Sequence, residues 1–128
     1  MTTELTMLLW SIILTFILIM IPAYEAVRRN GAALQSGPRD NMPTPSNFNK
    51  RASRLSQNMQ ENMLMFTALV LVAHTAGVSD EKTVLGAQIF FYARVAHALV
   101  YLMGMGKIRP VFWAISVVGM GMIAVALF

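Results

Sequence analysis

The sequence predicts an all-α integral membrane protein, a bundle of four membrane-crossing helices in one domain over residues 1–128. Three observations lead there. Of the 128 residues, 56% are apolar and 12% charged, about half the charged share of an ordinary soluble domain. Three stretches carry no formal charge at all: Leu5–Tyr24, Asn62–Ser79 and Pro110–Phe128, of 20, 18 and 19 residues. Runs such as LLWSIILTFILIM do not alternate apolar with polar, as a spanning strand would. A hydrocarbon core about 30 Å thick takes roughly 20 helical residues to cross. Within it every backbone amide needs an internal partner, which a helix supplies.

The first helix is expected over approximately 5–27. A cleaved leader would begin with basic residues and hold a shorter apolar core, whereas the first charge here is Glu4. Next comes a loop over approximately 28–48, where GAALQSGPRDNMPTPSNFN brings in glycine, asparagine and three prolines. Proline lacks the backbone donor and pushes its predecessor out of the helical region, so Pro43 and Pro45 predict an extended entry into the second helix. A connection of this length is more often functional than a plain link.

The second helix is expected over approximately 49–77, with its first turns at headgroup level. GVSDEK follows; Ser79 is the expected cap of the third helix, over approximately 80–105, with Asp80 and Glu81 at its positive end. The short connection GMGKIRP makes the third and fourth helices antiparallel neighbours. Pro110 falls in the first turn of the fourth helix, over approximately 109–128, where a missing donor costs nothing.

The loops set the expected orientation. Arg28, Arg29, Arg39, Lys50, Arg51 and Arg54 flank the first connection, and Lys107 and Arg109 the last, whereas the other side has Lys82 among Glu4, Asp80 and Glu81. Lysine and arginine accumulate on the cytoplasmic side, which puts the long loop inside and both termini on the opposite side. The net charge of +4 follows from this asymmetry and from contact with anionic headgroups. No basic run is interleaved with aromatics, so nucleic acid is not an expected partner. The chain has no cysteine and only His74 and His97, which excludes disulfides, thiolate metal sites, a cysteine nucleophile and an all-histidine metal cage.

Polar groups within the apolar helices carry the functional signal. Arg54, Asn58, Glu61 and Met65 step by four, three and four along one face of the second helix, with Gln57 beside them. Arg94, His97 and Tyr101 do the same on the third. Twelve residues separate Arg94 from Lys107, roughly 20 Å of helix, so Arg94 lies deep. An arginine at such depth is costly and calls for a partner. One reading is an Arg94–Glu61 pair that locks helix register. The other is a site for a charged ligand, since Arg54, Gln57, Asn58, His97 and Tyr101 exceed what a register lock needs. Several cations and one carboxylate suit a ligand with carboxylates and an amine. His74, isolated in LVLVAHTAG, reads as a helix–helix or interfacial residue, and the 11 methionines as packing.

RASRLSQNMQEN (Arg51–Asn62) resembles the second-helix motif R-A-x-R-A-x-x-N-x-x-E-N of the MAPEG family, the membrane-associated proteins in eicosanoid and glutathione metabolism. Arg51, Ala52, Arg54, Asn58, Glu61 and Asn62 match, and Leu55 departs. YARVAHALVYL (Tyr92–Leu102) looks like the R-V-A-H-x-x-x-Y segment of the microsomal glutathione transferase and prostaglandin E synthase branch, with Ile108–Arg109 where that branch enters its last helix. The likeness covers nearly the whole chain and is nearest in kind to bacterial microsomal glutathione transferase-like members.

The resemblance implies a homotrimer in the bilayer, in the inner or plasma membrane of a bacterium, with glutathione as co-substrate bound between protomers near the cytoplasmic face and no metal. Arg54, Asn58 and Glu61, with Gln57, would hold the charged ends of the peptide. Arg94, His97 and Tyr101 would shape the pocket, and Arg28 or Arg29 would close it. Arg109 is the expected catalytic residue, a cation that raises the thiolate fraction of the bound thiol. The implied activity is a transferase or peroxidase of detoxification, acting on lipophilic electrophiles from the bilayer. Pro110 stands where the prostaglandin synthase branch has a serine, which argues against prostaglandin isomerase chemistry. A non-catalytic lipid- or glutathione-binding protein is the alternative. Small four-helix drug exporters also use a buried glutamate, but inside a first helix that here is uncharged from Leu5 to Tyr24.

Overall fold

A computed structural model describes all residues 1–128. Helix α1 spans Thr3–Asn30, a short α2 Ala32–Ser36, α3 Asn47–Thr75, α4 Glu81–Leu102 and α5 Arg109–Ala126. The first expected loop therefore begins later and is partly helical: Gly31, at φ 85°, ends α1 in a conformation that suits glycine, and α2 follows at once. Pro22 lies inside α1, and its carbonyl accepts from Asn49 Nδ2 at 3.0 Å. The third helix ends at Leu102, three residues short of expectation, because the chain turns through Gly104 at φ 76°.

The caps place the helix starts. Thr2 Oγ1 accepts from the Leu5 amide at 3.2 Å, and Ser46 Oγ accepts from the Asn49 amide at 3.0 Å. Asp80, not the expected Ser79, caps α4: its Oδ1 accepts from the Thr83 amide while Thr83 Oγ1 accepts from the Asp80 amide, both at 2.9 Å. Ser79 Oγ instead donates to Glu4 Oε1, at 2.9 Å. One end of the bundle thus gathers the start of α1, the end of α3 and the start of α4. The other, the loop end, gathers the end of α1, α2, the start of α3 and the α4–α5 turn.

Three helices, α1, α4 and α5, are long and apolar enough to cross a membrane. The 29 residues of α3 measure about 43 Å, ample length, but its first four turns are polar, so α3 does not join them on composition. Its apolar half packs inward: Met59, Met63, Phe66 and Val70 are buried against α1 and α4. Phe66 stacks on Phe90 with centroids 3.8 Å apart and planes 13° from parallel, which fixes the depth of α3 against α4. Helices α4 and α5 meet through Gly86 and Gly119. A Cβ on either would sit 2.6 Å from the other's carbonyl oxygen, so only glycine allows this approach.

The exterior is apolar. Only 27 of 128 residues are buried, and Leu9, Trp10, Ile12, Ile13, Phe16 and Ile17 of α1 all point outward. Soluble monomers rarely leave a row of large apolar side chains against water; hydrocarbon is its natural solvent.

Candidate functional site

At the loop end, α3, α4 and α5 line an open cavity of about 390 Å³. Arg54, Gln57, Asn58 and Glu61 reach it from α3, since offsets of three, four and seven residues fall on one helical face. His97 and Tyr101, one turn apart, come from α4; Arg109, Pro110 and Trp113 come from the first two turns of α5. Two antiparallel helices and a short turn have thus brought three separate sequence segments to one depth.

The cavity has a defined electrostatic interior. Arg109 holds its guanidinium carbon 4.8 Å from the Tyr101 ring centroid, a cation–π contact that leaves the N–H donors of the guanidinium edge free. The Tyr101 ring lies 5.5 Å from that of His97, itself buried, with Nδ1 lacking a hydrogen-bond partner. Arg54, Gln57 and Glu61 stay exposed on the rim. Two guanidinium groups and one carboxylate therefore face a single space. No three His, Asp or Glu side chains converge anywhere in the fold.

Arg94 stands apart. It is 1% exposed and does not line the cavity; it lies beneath, donating from Nη2 to Asn58 Oδ1 at 2.7 Å and from Nε to Met59 Sδ at 3.3 Å. The Arg94–Glu61 ion pair expected as one reading is not formed: the single ion pair of the molecule is Arg29–Glu25, at 3.7 Å. Arg94 on α4 meets the α3 stripe at Asn58 instead, and Glu61, one turn further along α3, stays on the rim. Within one chain Arg94 bears on the cavity from beneath, through its bond to Asn58, and does not line it.

Within one chain Arg28 does not reach this cavity. It lines a different, mainly apolar groove of about 550 Å³ along α1, with Phe16, Met20, Tyr24 and Phe48. Arg29 is engaged by Glu25, which also accepts from Ser46 and Asn49 and so ties α1 to the start of α3. Neither arginine closes the cavity within one chain. Trp113 went unremarked in the sequence, although it follows Arg109 by four residues and so shares its face.

Fold and site together define an integral membrane protein with a charged cavity at one end of an apolar helical bundle. The model of the MAPEG family matches residues 5–128, and the chain belongs to that family. Comparison with curated proteins and with solved structures gives no match.

Proposed function

We propose that the protein is a glutathione-dependent transferase or peroxidase for lipophilic electrophiles. The observation that carries this reading is the cavity between α3 and α5, where Arg54 and Arg109 offer two cations and Glu61 one anion. Glutathione offers each of them a counterpart: a carboxylate, an ammonium and a thiol that can ionise. Arg54, helped by Gln57 and Asn58, takes a carboxylate; Glu61 takes the ammonium; and Arg109, fixed over Tyr101, stands by the sulfur. A fixed cation near a thiol favours its thiolate, and the proton passes to solvent.

In conjugation the thiolate attacks an electrophilic carbon. A sulfur–carbon bond forms, and the carbon–leaving-group bond breaks with its electron pair. In peroxide reduction the thiolate takes the terminal oxygen of a hydroperoxide and an alcohol departs. A second glutathione then displaces water from the oxidised sulfur, leaving the disulfide. The electrophile reaches the cavity from the bilayer past α1 and α5, whose outer faces are apolar.

The same reading takes α3 as a fourth crossing helix, its polar half shielded by neighbouring copies in a homotrimer. Arg54, Gln57 and Glu61 are exposed in one chain, and a second chain against them would complete the binding wall. The basic loop end faces the cytoplasm. A non-catalytic binding protein of the same fold is the second reading, favoured by Pro110: the residue after Arg109 has no hydroxyl to hold a sulfur. Calorimetric titration of the detergent-purified protein with glutathione, followed by conjugation to a chlorinated nitrobenzene, tests both. Binding that Arg54→Ala weakens, with turnover, supports the enzyme; binding without turnover supports the second reading; no binding rejects both for glutathione.

A further inference from the structure

At the end of the bundle opposite the charged cavity lies a separate pocket of about 230 Å³, between the start of α1 and the end of α3. Asn58 and His74, one in each pocket, are separated by roughly four and a half turns of α3, about 24 Å. Glu4, 4% exposed, lines this second pocket. Its Oε1 accepts from Ser79 Oγ at 2.9 Å and from Thr83 Oγ1 at 2.5 Å, while its Oε2 is buried with no partner. No basic group stands within ion-pair distance of it. The carboxylate sits in the first turns of α1 and α4, where two helix dipoles favour negative charge. A buried anion with one free oxygen wants a cationic donor, because leaving it unpaired costs far more than pairing it. Val70 and Ala73 give the pocket an apolar wall, and His74 and Thr2 supply polar groups.

We infer that this pocket binds a primary ammonium group, its N–H donors on Glu4 and its methylenes against Val70 and Ala73. The pocket has room for seven or eight heavy atoms, at about 30 Å³ each, the size of a phosphorylated ethanolamine. A phosphate next to that ammonium would find the imidazole of His74 and the hydroxyl of Thr2. Because the pocket opens at the helix ends, at headgroup level, such a group is available from phosphatidylethanolamine; a free amine offers the same chemistry. The inference is independent of the thiol chemistry at the other end.

Native mass spectrometry of the full-length protein, with an equimolar mixture of phosphatidylethanolamine, phosphatidylcholine and phosphatidylglycerol of identical chains, tests it. Phosphatidylethanolamine should be retained on the order of tenfold over phosphatidylglycerol, the factor one charge-assisted hydrogen bond supplies. Glu4→Gln keeps an acceptor for Ser79 and Thr83 and should erase the preference while glutathione titration is unchanged. Phosphoethanolamine added in excess identifies the source: displacement of the lipid assigns a free-amine pocket, persistence assigns the lipid headgroup. Equal retention of phosphatidylglycerol by the unaltered protein, or of phosphatidylcholine, whose nitrogen has no N–H, overturns the inference without recourse to any variant. So does a preference that survives Glu4→Gln.

Discussion

The buried guanidinium of Arg94 donates to Asn58 Oδ1 at 2.7 Å, and this bond links the floor of the polar cavity to its wall. Asn58 thereby presents a fixed amide to the cavity, and Arg94 obtains an oxygen acceptor in surroundings that offer few. Asn58→Leu should therefore cost about 2–3 kcal/mol, because it strands a buried charge as well as removing a bond. Arg94→Met combined with Asn58→Leu should recover part of that loss, since neither polar group then remains. Thermal unfolding in detergent of the single and double variants measures the coupling. Simple additivity would mean that the bond contributes nothing.

Arg109 should act on the thiol more than on affinity. With the guanidinium removed by Arg109→Ala, the pKa of bound glutathione should rise by about one to three pH units, the span one nearby charge accounts for. The sign follows from charge: a cation stabilises the thiolate, so losing it moves the rise of the conjugation rate to higher pH. Ultraviolet absorbance of the thiolate, followed against pH in both proteins, reads the shift. Tyr101→Phe preserves the ring beneath the guanidinium and should leave the profile nearly in place.

Glu61 and Arg54 should divide the ligand between them. Glu61→Gln should weaken glutathione by about tenfold, as expected when one charge-assisted hydrogen bond is lost. It should barely affect an analogue that lacks the amino group. Arg54→Ala should weaken both ligands alike. Calorimetry with the two compounds separates the roles, and an unselective effect of Glu61→Gln would reassign the ammonium.

The α4–α5 contact should tolerate no methyl group. A Cβ at Gly119 meets Gly86 O at 2.6 Å and the Phe90 amide nitrogen at 2.8 Å, both backbone atoms that cannot swing aside. Gly119→Ala should destabilise by about 1–3 kcal/mol through forced separation of the helices. Gly121→Ala, two residues on, has nothing within 4 Å of the new methyl and should be close to neutral. Comparing the two melting temperatures in one detergent checks the contact directly.

Assembly should govern ligand binding. Native mass measurement should give three times the 14.2 kDa protomer mass, and dilution into a dissociating detergent should abolish glutathione binding in step with loss of that species. Binding that persists in monomers would place the whole site within one chain.

Much of this architecture is legible in the sequence itself. Length and charge placement marked the long helices, because burying a charge in hydrocarbon is costly wherever the chain goes. The faces of α3 and α4 were legible too, since helical period alone sets Arg54, Asn58 and Glu61, or His97 and Tyr101, in line. The start of α4 was missed by one residue because Ser79 and Asp80 both suit a cap, and Glu4, 75 residues from Ser79 along the chain, claims the serine hydroxyl. Helix α2 was missed because Ala32–Ser36 has no periodic apolar face to announce it.

From the sequence alone came the helical class, the membrane setting and the two polar stripes, all of which depend on spacing within one segment. Only the tertiary structure decided that Arg94 meets Asn58 and not Glu61, that Arg28 lies within its own chain in the groove along α1, and that Trp113 lines the cavity. Those outcomes depend on the rotation and depth of one helix against another. Contacts such as Gly86–Gly119 and Phe66–Phe90 set both, through shape complementarity that no single helix contains.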